Sequence, residues 1–235
     1  MKALTILAVL TAAPLSAQTT APAPHRFASA VQTALIGMRD GVEAGAQVAD
    51  AIETSGARVV AEDIATPTAL RRDADGKPVI VLSSRLALAP RVLAPNIARE
   101  GAKLALKDMP ASAEKEYMAR SLMVRSWIEL GGEPAKLPVI DPLTGATDPA
   151  LAAEFKAWLD TDAQTALERL GTAAGVEDLP TQSDALRSDL ETRFHIPENV
   201  PPMRARLAAL EAANTRFVQF LRAERDWKDM HGLGR

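Results

Sequence analysis

The chain of 235 residues has no cysteine, which excludes a disulfide framework, thiolate metal sites, Fe–S clusters and a cysteine nucleophile. Aromatic residues are scarce: five Phe, three Trp and one Tyr. That is thin material for stacking on bases or sugars. Positive charge is not in excess either. The 27 Lys and Arg are outnumbered by 30 Asp and Glu, and the pI is near 5.7. This argues against a nucleic-acid partner. Histidine is limited to His25, His195 and His231, too far apart in sequence to form a local metal pair. His195 stands before Ile196-Pro197, where a cation suits a helix end. No Gly-x-Ser-x-Gly elbow, Walker loop or Gly-x-Gly-x-x-Gly turn is present. No long apolar run follows the first seventeen residues, so no stable membrane span is expected.

What is present begins at the N-terminus. Met1-Lys2, the apolar run Ala3 to Ala13 and the small residues around Ala17 read as a signal peptide, residues 1–17, cut after Ala17. Export to the periplasm or beyond is therefore expected. Residues 18–26, rich in Thr, Ala and Pro, read as a disordered tether. The hydrophobic content of 47% is enough for a sizeable core.

Phe27, Val31, Ala34, Leu35 and Met38 recur at helical spacing, and a second helix is expected from Val42 to about Glu53, stopped by Gly56. Residues 57–61 and 78–83 are strand-like, with 67–77 between them as a loop that holds the turn Asp73-Ala74-Asp75-Gly76. That turn lacks the further ligands of a calcium loop. Helices follow over 90–107 and 112–131, the latter with Ser112 as N-cap and Gly131-Gly132 as its stop. After an irregular loop, 133–149, shorter helices are expected over 150–159, 163–170 and 183–194. Pro197 to Pro202 breaks the chain before a long helix from Met203 to about Trp227. The fold class is α+β and helix-rich: a small two- or three-stranded sheet in the N-terminal third, a core over 27–132, and a helical extension over 150–230. The apolar spacing of helix 203–227 suits either a protein partner or a seam on the chain's own helices.

One segment carries more. Val79-Ile80-Val81-Leu82-Ser83 is followed by a helix containing Arg99-Glu100-Gly101-Ala102-Lys103, and the next helix carries Glu116. This order resembles the zincin-type putative metallopeptidases. In that family a strand ending in a small polar residue precedes a His-Glu-x-x-His helix, and a following helix supplies an acidic third ligand. Here Arg99 and Lys103 stand where the two histidines would be, and only Glu100, at the position of the general base, is kept. Zinc needs neutral nitrogen, thiolate or carboxylate ligands, so no metal or other cofactor is expected, and no catalysis. The resemblance implies a metal-free pseudo-site of Arg99, Glu100, Lys103 and Glu116, in an exported protein with a binding or structural role. The alternative is a helix-rich periplasmic interaction module with no enzymatic ancestry. On the helix wheel Glu100 falls with Arg99, Lys103, Asn96 and Lys107 on a polar arc. Glu116 shares an angle with Ala119, Met123 and Trp127, which implies partial burial and a cationic partner: Arg99, Lys103 or Arg120.

Overall fold

The computed structural model describes residues 24–41, 43–133, 149–160, 163–174, 178–193 and 200–233. The signal peptide, the tether before Pro24, most of the 133–149 loop and His195 lie outside these residues. The architecture is α+β and helix-rich, with one three-stranded sheet near the N-terminus and helices through the C-terminal half.

The first helix, α1 (Pro24–Gly41), starts three residues inside the expected tether. Pro24 has no amide proton to satisfy, so it is well placed to open a helix. Phe27, Val31, Ala34 and Met38 form its buried stripe. The second, α2 (Glu43–Thr54), ends at Gly56, whose φ of 65° is left-handed. The Ala57 amide then reaches back to the Ile52 carbonyl and the Gly56 amide to Glu53, which closes the open carbonyls of the last turn.

The sheet holds β1 (Arg58–Glu62), β2 (Thr68–Arg72) and β3 (Pro78–Ser83) in the order β1-β3-β2. Central β3 runs parallel to β1 and antiparallel to β2. The expected loop 67–77 thus contains a strand. Only its end is a turn, in which Asp73 Oδ1 accepts from the amides of Asp75 and Lys77. All six residues of β3 are buried. Ile80 and Leu82 face the helices, and Val79 and Val81 lie on the other face. An ion pair from Arg71 on β2 to Glu62 on β1 spans β3 on that second face.

After the sheet come α3 (Pro90–Ala105) and α4 (Ala113–Glu129). Pro90 occupies the first position of α3, where its missing amide costs nothing. Pro95 lies inside the helix, and Asn96 Nδ2 donates to the Val92 carbonyl one turn back. Ser112 caps α4 by accepting from the Lys115 amide, and Gly131 closes it at φ 85°. The C-terminal helices are α5 (Pro149–Asp160), α6 (Ala163–Ala174), α7 (Leu179–Thr192) and α8 (Val200–Met230). α7 starts earlier than expected, behind the N-cap Asp178. α8 likewise incorporates Pro201 and Pro202 in its first turn, where proline is tolerated, rather than starting after them.

Buried apolar side chains form two clusters. The first joins α1, α2, the sheet and α3, with Ala119 of α4. The second joins Tyr117, Met118, Met123 and Val124 of α4 to Trp158, Leu179, Leu210, Phe217 and Trp227. One helix, α4, contributes to both. The apolar seam of α8 is therefore used inside the chain: Leu210, Ala213, Phe217 and Trp227 are buried in the second cluster. Among the described residues no helix is long and apolar enough to cross a membrane.

Candidate functional site

Arg99 and Lys103 stand four residues apart on α3, so both project toward the same stretch of α4. There they meet Glu116. Arg99 Nη2 lies 2.5 Å from Glu116 Oε1, and Lys103 Nζ lies 3.3 Å from Oε2. Arg120, one turn further along α4, adds Nε at 3.3 Å from Oε1. One carboxylate is thus shared among three cations, all about a quarter to a third exposed. Lys103 also reaches Glu100 Oε2 at 3.2 Å. The structure brings the four residues singled out by the sequence into one cluster.

Burial raises the Glu116 carboxyl, but the Arg99 hydrogen bond and the charges of Arg99 and Lys103 outweigh it. The group is held below the usual glutamate range. Glu100 departs from the sequence reading. It was expected on the polar surface arc, yet it is only 2% exposed. At 100° per residue it lies about 20° from Leu93, at the edge of the buried stripe, and it follows Leu93 and Ile97 into the core. Its Oε2 makes no hydrogen bond, so the Lys103 ammonium answers its charge without good hydrogen-bond geometry.

The arrangement neutralises charge and pins α3 to α4. Both carboxylates are engaged by cations. Zinc does not fit here, because a guanidinium and an ammonium offer no lone pair and repel the ion. Among the described residues there is no group of three or more His, Asp or Glu placed to hold a metal. His25 lies in α1, exposed, rather than in a tether. His231 lies just past the end of α8. It stacks on Trp227 with ring centroids 4.1 Å apart, and its Nδ1 lies 2.8 Å from the Trp227 carbonyl.

Sequence reasoning missed a second polar set, on the other side of α4. Glu114, Tyr117, Ser121, Arg125 and Glu129 follow one another at steps of three and four, which makes one stripe. Glu114 is fully buried and accepts from the Leu179 amide at 2.9 Å, capping α7. Tyr117 and Ser121 donate to the buried Glu224 of α8, and Trp158 Nε1 does the same from α5. Lys228 donates to the Trp158 carbonyl and sits 4.2 Å over its ring. Arg125 lies 4.9 Å from the Trp227 ring centroid. Glu129 accepts from Trp227 Nε1 at 3.0 Å and from the Ala44 amide at 3.2 Å, so it ties α8 to the start of α2. The stripe was visible as a period in the sequence, but its partners are on α2, α5, α7 and α8, and no local pattern names them.

No family model, curated protein or solved structure matches the chain.

Proposed function

We propose that the chain is an exported, non-catalytic protein: a metal-free pseudo-peptidase with a binding or structural role. One observation carries this reading. Two α3 side chains four apart and one α4 carboxylate converge, as the ligands of a zincin would, but the two are Arg99 and Lys103. Positive charge that a metal ion would bring in that family comes here from the side chains themselves. The Glu116 carboxylate answers that charge, and Glu100, with no metal-bound water beside it, has nothing to deprotonate. The seam of α8 gives some support to this reading over an interaction module built on helix 203–227, because Leu210 and Phe217 are already buried in the second cluster and Leu221 packs partly against it. Export rests on residues 1–17.

The test combines metal content and turnover. Purified protein dialysed against zinc should hold well under one equivalent by elemental analysis, and it should not cleave unstructured peptide substrates with or without added zinc. Near-stoichiometric zinc, or cleavage lost in Glu100→Gln, would overturn the reading. N-terminal sequencing of exported material should begin near Gln18, and Met1 retained in a membrane fraction would count against export.

A further inference from the structure

Among the described residues β1 is an edge strand with one open side. The order β1-β3-β2 leaves it hydrogen-bonded to β3 alone. Alternate residues of a strand turn their backbone groups to opposite sides. The Ser84 amide donates to the Glu62 carbonyl, in step with the Glu62–Ser83 pairing. Arg58, Val60 and Glu62 therefore bond to β3, while Val59 and Ala61 direct both their N–H and C=O groups outward. No described residue takes up those groups. Native sheets blunt such an edge with proline, a bulge or a charge in mid-strand. Arg58-Val59-Val60-Ala61-Glu62 has none of these. Its charges stand at its two ends and are opposite in sign.

We propose that this edge pairs antiparallel with β1 of a second copy of the chain, about a twofold axis at Val60. Two independent features select that register. It sets Val59 opposite Ala61 of the second copy, and the reverse, so every outward N–H and C=O of the two residues finds a partner. A slip of one residue would set outward groups against groups already bonded to β3. The same register sets Arg58 opposite Glu62 of the second copy at both ends of the join. Within the chain Arg58 pairs with Asp73 and Glu62 with Arg71, yet their side chains remain 63% and 37% exposed. Charges then alternate in sign across the join. The other edge, β2, is unsuited to the same contact: it carries Arg71 and Arg72 and no acid, so self-pairing would gather four arginines. Each copy uses its β1 edge once, so the assembly stops at a dimer. The inference does not depend on the family reading of the Arg99–Glu116 cluster.

The experiment is sedimentation equilibrium of the full chain over about 1 µM to 1 mM, the range expected of a small interface. The parent should pass from the mass of one chain to that of two. Arg58→Glu and Glu62→Arg each set like charges opposite one another at both ends of the join, and each should weaken dimerisation about tenfold or more. An equimolar mixture of the two variants should dimerise again, because a join between one variant and the other is opposite in sign at both ends. A single-chain mass throughout, variants that dimerise like the parent, or a mixture that does not recover would overturn the proposal. If either variant fails to fold, hydrogen exchange of the unaltered chain decides. The Val59 and Ala61 amides should slow about tenfold or more as concentration rises through the transition. Exchange independent of concentration would overturn the proposal. So would amides already protected in the dilute chain, which would show that the chain covers its own β1 edge.

Discussion

Glu116 and Glu129 both sit on α4, about half-buried, yet their environments push them in opposite directions. Glu116 is engaged by three cations, so Glu116→Ala orphans positive charge between α3 and α4. A fully buried broken pair costs about 3–5 kcal/mol and an exposed one about 0–1. With a quarter of the side chain exposed, the loss should be about 1–3 kcal/mol in urea unfolding. Adding Arg99→Met and Lys103→Met should recover part of it, and no recovery would point to Arg120 as the main partner. The Glu116 carboxyl is depressed in the fold, so its stabilisation is present above the unfolded value of about 4.3 and is lost as pH falls through the folded value. Glu129 is the reverse case. Burial raises it and Glu43 adds to that. The Ala44 amide, Arg125 and Trp227 pull it down, and the carboxyl still ends above the usual range. Its contribution is complete below about 4.3 and is lost as pH rises through the folded value. In unfolding curves taken across pH, Glu116→Gln should flatten the loss of stability on the acid side. Glu129→Gln should flatten the loss toward neutral pH. Two variants that kept the same pH slope as the parent would contradict both assignments.

Close helix crossings depend on two glycines that the sequence offers without explanation. A Cβ on Gly101 of α3 would lie 2.5 Å from Val48 Cγ1 and 2.7 Å from Ile52 Cδ1 on α2. One on Gly45 of α2 would meet the Met38 backbone, 2.8 Å from its carbonyl oxygen. Overpacking costs about 1–3 kcal/mol, and alanine regains about 1 kcal/mol of helix propensity. Gly101→Ala should therefore lose roughly 0–2 kcal/mol, since the end of Ile52 can move. Gly45→Ala should lose more, because backbone cannot yield. A thermal melt that ranks them the other way would refute the α1–α2 contact. The same elements show what the sequence could convey. Ser112 and Gly131 bracket α4 by local chemistry, and both ends were legible. β2 was not: Thr-Ala-Leu-Arg-Arg has one β-branched residue, and its strand character comes from pairing with β3. Arg99, Lys103 and Glu116 could be read as a set because helical spacing brings two of them together and burial demands a partner for the third. Glu224 could not, because Tyr117 is 107 residues away along the chain and nothing near Glu224 announces it.

At the scale of the whole molecule, α4 decides whether the chain behaves as one body. Its Ala119 belongs to the first core and its Tyr117, Met118, Met123 and Val124 to the second. Its polar stripe hydrogen-bonds to α2, α5, α7 and α8. A helix that loses its packing on one side loses the rigidity on which the hydrogen bonds of the other side depend. Glu224, with donors from two other helices, would then be a buried carboxylate without fixed partners, at a cost of several kcal/mol. The two cores are therefore expected to unfold together. The three tryptophans allow a direct test, because Trp127, Trp158 and Trp227 lie on α4, α5 and α8, and none lies on α1, α2, α3 or the sheet. Leu93 of α3 is fully buried in the first core. Leu93→Ala should cost about 2–5 kcal/mol. If α4 couples the cores, tryptophan fluorescence and far-UV circular dichroism should give coincident urea transitions in both proteins, and the fluorescence midpoint should drop by the full amount in the variant. A fluorescence midpoint unmoved by Leu93→Ala, with a separate earlier transition in circular dichroism, would show that the second core stands without the first and that α4 belongs energetically to the C-terminal helices alone.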